Sequence, residues 1–146
     1  MKIRLTGIGA LLLIATTQSL SAQKAKPSAE EAAVRTVVAS YLHGLKFNDV
    51  PSLKAAFWPD AKLFFTAKDG HLGQLTQEKW YAGFAQSAGK EEKGDLRITA
   101  LEITKDIASV KVVEDYPTSR YIDYLLLVRF DGAWKIVSKA YTSEPR

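Results

Sequence analysis

From residue 96 to residue 142 apolar and polar positions alternate in short runs broken by turn residues, and this period of two predicts four strands, at about 96–104, 108–116, 120–130 and 133–142. The last two are divided by Asp131-Gly132, a pair that suits a type I′ hairpin turn because both central residues take φ > 0. With that turn, Phe130 faces Ala133, Val128 faces Lys135, Leu126 faces Val137 and Tyr124 faces Lys139. Tyr121, Asp123, Leu125 and Leu127 then share the other side with Trp134, Ile136, Ser138 and Ala140. Trp134 and Ile136 mark that side as the core, so Asp123 points inward, and a register slip of one residue would reverse the assignment.

Upstream, the period changes. Ser28 and Glu31 have capping-box spacing, and Val34, Val37, Val38, Tyr41, Leu42 and Leu45 form one apolar stripe of a helix from 28 to about 46, ended by Asn48-Asp49. Pro51 opens a short helix, 52 to about 57, and Trp58-Pro59-Asp60 closes it. Residues 61–67 read as a strand and 71–75 as a weaker one; Thr76 then caps a third helix carrying Trp80, Tyr81, Phe84 and Ala85 and ending near Gly89. Residues 88–95 are a charged loop. Helices, a hairpin, another helix and an antiparallel meander predict an α+β domain: a cone-shaped, curved antiparallel sheet with the N-terminal helices on its concave face and a cavity between the two layers.

Composition changes this picture mainly at the N-terminus. Lys2 and Arg4 precede an apolar run from Ile8 to Ala15, and small residues follow at Ser19, Ser21 and Ala22, which predicts a secretory signal peptide over 1–22, cleavage after Ala22, a linker over 23–27 and one domain over 28–146. The expected location is periplasmic or secreted, with no stable membrane anchor after cleavage. The chain has no cysteine, which excludes both disulfides and a lipid anchor on cysteine. Without the leader the formal charge falls from +4 to +2, and diffuse charge gives no reason to expect a nucleic-acid partner.

Three runs, Val34 to Asp49, Ala56 to Leu63 and Asp123 to Lys139, resemble the putative lumazine-binding family of the nuclear-transport-factor-2-like superfamily. The most specific piece is Asp123-Tyr-Leu followed by Asp131-Gly-Ala-Trp-Lys-Ile-Val137 and Lys139. The resemblance implies a cone-shaped α+β barrel, commonly dimeric through the outer sheet face. It implies less about activity, since relatives include ketosteroid isomerases, polyketide cyclases, dehydratases and scaffolds.

Candidate chemistry centres on Asp123. Inside the cone, burial would raise its pKa and suit it to act as a general base, with Tyr41 or Tyr81 stabilising an oxyanion; the alternative is a structural carboxylate paired with Arg97 or Lys111 or bonded to a tyrosine hydroxyl. Joining the strands across 117–120 sets Glu114 opposite Asp123, or Asp115 if the loop length is odd; an exposed acidic strand end is the plainer reading. Trp58, Phe64, Trp80, Phe84, Glu114 and Tyr121 are the candidate ligand-binding residues, aromatic walls that fit a small, flat, partly apolar ligand, though most aromatics at such positions simply fill the core. The two histidines, His43 and His71, lie on separate elements, so neither a metal centre nor a cofactor is expected, and no phosphate loop, dinucleotide fingerprint or Gly-x-Ser-x-Gly occurs. On the outer face Tyr124, Leu126, Val128, Val137 and Tyr141, flanked by Lys135 and Lys139, predict a homodimer surface. The leading functional reading is an exported small-molecule-binding domain; an isomerase, cyclase or dehydratase using Asp123, and a non-catalytic dimeric scaffold, are the alternatives.

Overall fold

The computed structural model describes residues 27–146, so the expected signal peptide and most of the linker lie outside the described residues. Helices α1 (Ala29–Lys46) and α2 (Val50–Ala56) lead into strands β1 (Phe57–Thr66) and β2 (Leu72–Leu75), then α3 (Gln77–Ala82) and a single 3₁₀ turn, Ala85–Ser87. Strands β3 (Asp95–Thr104), β4 (Ile107–Asp115), β5 (Ser119–Phe130) and β6 (Ala133–Pro145) complete the chain. The six strands form one curved, unclosed sheet in the order β2-β1-β6-β5-β4-β3. The expected antiparallel sheet needs one correction: β1 pairs with β6 in parallel, which places the early hairpin beside the end of the chain.

Local chemistry starts the helices largely as their residues predict, but the third stops at Ala82 and leaves Phe84 and Ala85 to the 3₁₀ turn region instead of running to Gly89. The Ser28 hydroxyl accepts from the Glu31 amide, and Asn48, at φ 50°, turns the chain out of α1. Val34, Val38, Tyr41 and Leu45 are buried on one stripe, while Val37 and Leu42 lie at its margins. Gly44 is required by packing: a Cβ there would come within 2.4 Å of Leu53 Cδ2, so α1 and α2 touch where a side chain is missing. No helix among the described residues is long and apolar enough to cross a membrane.

Besides β3, where Thr99 is an extra residue between Ile98 and Ala100, two strands depart from simple alternation. The segment 58–60, expected to close the second helix, belongs to β1, and the register with β6 shifts between Phe57 and Lys62, a place in a strand where proline is tolerated. Gln77 Nε2 fills the gap by donating to the carbonyl oxygens of Trp58 and Pro59, at 2.7 and 2.8 Å. The second departure shapes the interior. Phe130 faces Ala133 and Val128 faces Lys135 as the Asp131-Gly132 turn demands, with φ of 49° and 75° at the turn residues. Beyond that, Leu127 pairs with Ile136 but Leu126 pairs with Ser138, so Val137 is an extra residue and β6 bulges. The expected pairs Leu126–Val137 and Tyr124–Lys139 are therefore replaced by Leu126–Ser138 and Tyr124–Ala140.

The bulge reverses the facing of the rest of β6. Trp134 and Ile136 point into the core, and past Val137 it is Lys139, opposite Leu125, and Tyr141, opposite Asp123, that turn inward, not Ser138 and Ala140. Lys139 and Tyr141 thus leave the outer patch assigned to them. Tyr124 and Leu126 remain exposed on the outer face. At the open rim of the sheet the carboxylate of Asp115 gathers Arg97, Arg120 and Arg146, and the first two hold its pKa down to about 2.

Candidate functional site

Four polar side chains from four elements meet beneath the helices. Tyr41 comes from the buried stripe of α1, Glu114 from the inward end of β4, Asp123 from β5 and Lys139 from β6 just past its bulge. Their relative exposures are 0% for Tyr41 and Asp123, 4% for Glu114 and 5% for Lys139. Buried charges persist only when paired and hydrogen-bonded, and this set is connected throughout. Lys139 Nζ donates to Asp123 Oδ2 at 2.9 Å and to the Tyr41 hydroxyl at 2.8 Å. Tyr41 in turn donates to Asp123 Oδ2, with Glu114 Oε1 3.2 Å from the same hydroxyl. The Tyr116 hydroxyl donates to Glu114 Oε2 at 3.3 Å.

Electrostatics divide the labour between the two acids. Burial, and then the adjacent Asp123 carboxylate, push the pKa of Glu114 up to about 8 despite the opposing pull of Lys139, so near neutral pH Glu114 holds a proton while Asp123 pairs with the ammonium. A protonated Glu114 is a donor for the Asp123 carboxylate, whose buried Oδ1 otherwise has no partner among the described residues. Burial raises Tyr41 well above its ordinary value, reinforced by Asp123 and Glu114, and keeps that phenol neutral.

Above this cluster lies an open cavity of about 390 Å³. Glu114 and Lys139 form its polar floor, Trp80, Phe84, Tyr121 and Tyr141 its aromatic walls, and Asn48 and Glu92 stand at its edge. Three rings surround the ammonium of Lys139, with Nζ 4.8 Å from the centroid of Tyr141, 5.1 Å from Trp80 and 5.3 Å from Tyr41. Asn48 Nδ2 ties the edge to the 88–95 loop by donating to the Lys90 carbonyl and to Glu92 Oε1.

The structure brings together most, not all, of the residues singled out from sequence. Trp80, Phe84, Glu114 and Tyr121 line the cavity; Asp123 and Tyr41 lie directly under its floor. Glu114 is paired with Tyr121, and Asp123 with Val112, so the two acids are neighbours on one face rather than directly opposed, and Glu114 is buried rather than an exposed strand end. Asp115 faces away, to the arginines. Tyr81 is elsewhere: its hydroxyl donates to Gln77 Oε1 at 2.5 Å, and it lines a separate cavity with Lys54, Phe57 and Pro59. Trp58, 40% exposed, packs edge-on against Phe130, and Phe64 stands in register with Ala140 on the outer face. Neither meets the cluster. Asp123 pairs with Lys139 and Tyr41, not with Arg97 or Lys111; the tyrosine bond was among the expected alternatives. Lys139 was missed as a site residue because strict alternation sends it outward; the bulge, which leaves Tyr141 and not Ala140 opposite Asp123, has no local signal in the sequence, and Lys139 stood out there only as part of the motif that carries the family resemblance. His43 sits by Asp49 and His71 by Asp69, on exposed and separate surfaces.

A helix pair and a 3₁₀-capped α3 set on one face of a curved, mostly antiparallel sheet, with a polar-floored cavity between the layers, define the nuclear-transport-factor-2-like class. Residues 29–142 match the family described as Putative lumazine-binding, and the chain belongs to that family. It is similar to the aldolase FrzH of Cladobotryum sp, 29% identical over 120 residues that cover 82% of this chain and 95% of the relative. Among solved structures it is similar to an NTF2-like protein of unknown function from Shewanella baltica, with a TM-score of 0.73, 24% identity, and 80% of this chain and 95% of the other covered. A ketosteroid isomerase-like protein from Erwinia carotovora atroseptica superposes with a TM-score of 0.61 at 15% identity, covering 79% of this chain and 96% of the other, and shares the fold.

Proposed function

We propose that the cavity binds a small, flat, carbonyl-bearing molecule and moves a proton to or from it, with Glu114 carrying the proton. The observation that supports this most directly is the convergence of Glu114, Lys139, Asp123 and Tyr41 under one aromatic-walled opening. A group that exchanges protons with a ligand has to reach it, and Glu114 lines the cavity whereas Asp123 has no exposed surface. The proton-carrying role therefore passes from Asp123 to Glu114, an acid when protonated and a base in the fraction of molecules that has released its proton, and Asp123 raises its neighbour's proton affinity and anchors Lys139. A pKa of about 8 suits Glu114 to proton transfer near neutral pH. Lys139 supplies a cation where negative charge develops on a carbonyl oxygen. The relative named an aldolase supports carbonyl chemistry of this kind.

The test is exchange of the α-hydrogens of acetophenone for deuterium, followed by NMR, together with a binding titration read from tryptophan emission. The wild-type protein should catalyse exchange, and Glu114→Gln should abolish it with binding retained. Saturable binding with no exchange by the wild type would instead establish a ligand-binding domain without catalysis.

The same reading places the protein outside the cytoplasm, supported by the charged, apolar and small-residue segments of 1–22. It also includes a homodimer through the outer sheet face, supported by exposed Tyr124 and Leu126.

A further inference from the structure

Lys139 combines two features in this geometry: the counterion that any buried ammonium needs, and a place on the floor of an open cavity between three aromatic rings. Here the amine is held from behind by Asp123 Oδ2 at 2.9 Å and the Tyr41 hydroxyl at 2.8 Å, and among the described residues its third hydrogen has no acceptor. The same side chain forms part of the cavity floor next to Glu114. A nucleophile, a proton acceptor for it and a proton donor for the oxygen it would displace are thus side by side.

We infer that Lys139 is the reactive amine of the cavity and forms an imine with the carbonyl group of an aldehyde or ketone. This rests on the carbonyl-ligand reading above and deepens it from proton transfer to covalent chemistry.

The step balances with groups already present. The ammonium passes one proton to Asp123 along their hydrogen bond, and the nitrogen lone pair attacks the carbonyl carbon to form a C–N bond. The carbonyl π pair moves to oxygen, which takes the proton of Glu114. Nitrogen loses a second proton to the Glu114 carboxylate, giving a neutral carbinolamine. The nitrogen pair then expels the hydroxyl, which leaves as water with the proton held by Glu114, and Asp123 keeps the proton it took from the ammonium. The sum is an ammonium and a carbonyl giving a protonated imine and water, with no oxidant or reductant. A cation enters and a cation results, and one proton has moved from Glu114 to Asp123, so the single negative charge of the acid pair shifts to Glu114 and the net charge of the buried site is unchanged. Glu114, ionised when the hydroxyl takes its proton, is then placed to accept a hydrogen from the carbon next to the iminium.

Benzaldehyde with sodium cyanoborohydride, which reduces the iminium to a stable secondary amine, tests this on the whole chain. Peptide mass mapping should find the benzyl adduct on Lys139 at least about tenfold faster than on exposed lysines such as Lys54. Lys139→Arg, which keeps a cation opposite Asp123, should lose the fast adduct while ligand-detected NMR still shows saturable benzaldehyde binding. The wild-type map stands by itself if that variant does not fold. Adducts spread over exposed lysines, with Lys139 unmodified while benzaldehyde binds saturably, would overturn the imine and leave the binding reading intact. Absence of saturable benzaldehyde binding would overturn both.

Discussion

Lys139 Nζ lies 2.9 Å from Asp123 Oδ2, and the two side chains have relative exposures of 7% and 0%. Neither residue is the other's directly opposed partner in the β5–β6 ladder: Lys139 pairs with Leu125 and Asp123 with Tyr141. The ion pair therefore runs diagonally across the inner face, held from above by Tyr41 of α1.

Removing one member strands the other in a desolvated site. Lys139→Ala should cost about 3–5 kcal/mol, as for other buried pairs broken from one side, and Asp123→Asn in the same background should recover part of that loss. Urea denaturation of the two single variants and the double variant measures the coupling; additive losses would show that the pair is not a unit.

Glu114 gives stability a definite pH dependence. Its pKa is raised from 4.5 to about 8 in the folded protein, so from about pH 4.5 to 8 the folded chain holds a proton that the unfolded chain has released. Its contribution is complete below about pH 4.5 and is lost as pH rises through 8. Denaturant midpoints for Glu114→Gln, which cannot ionise, should rise relative to wild type across that window, and a constant difference would contradict the assignment.

The closeness of α1 and α2 at Gly44 leaves no room for a methyl group. Gly44→Ala should destabilise by about 1–3 kcal/mol despite the better helix propensity of alanine, because Leu53 blocks the new Cβ. Leu53→Ala in the same chain should relieve the clash, so the two losses should be less than additive in thermal denaturation.

On the outer face Tyr124 and Leu126 are 57% and 42% exposed. Leu126→Asp should convert a sheet-to-sheet dimer into a monomer in light scattering after size-exclusion chromatography, with the far-ultraviolet circular dichroism unchanged. A wild-type monomer at high concentration would remove the proposed surface.

Local rules in the sequence carried most of the architecture. The capping pair Ser28 and Glu31, the helical stripe through Tyr41, and the Asp131-Gly132 turn depend on neighbours a few residues away, and each appears where its chemistry places it. The turn also sent Asp123 inward, because period-two alternation was unbroken along β5. The aromatics were harder to place: Trp80 and Phe84 reach the cavity, while Tyr81 and Trp58, similar in composition and close in sequence, point to other surfaces.

By itself, then, the sequence determined the order and type of the elements, the hairpin turn and the buried helical stripe, since hydrogen-bond closure and side-chain periodicity act over one turn or one strand. Only the tertiary structure decided which charge answers Asp123. Nothing local to β6 requires a bulge at Val137; it is part of how a long strand fits a curved sheet, with β1 on one side and β5 on the other, and that extra residue turns Lys139 from the surface into the cavity.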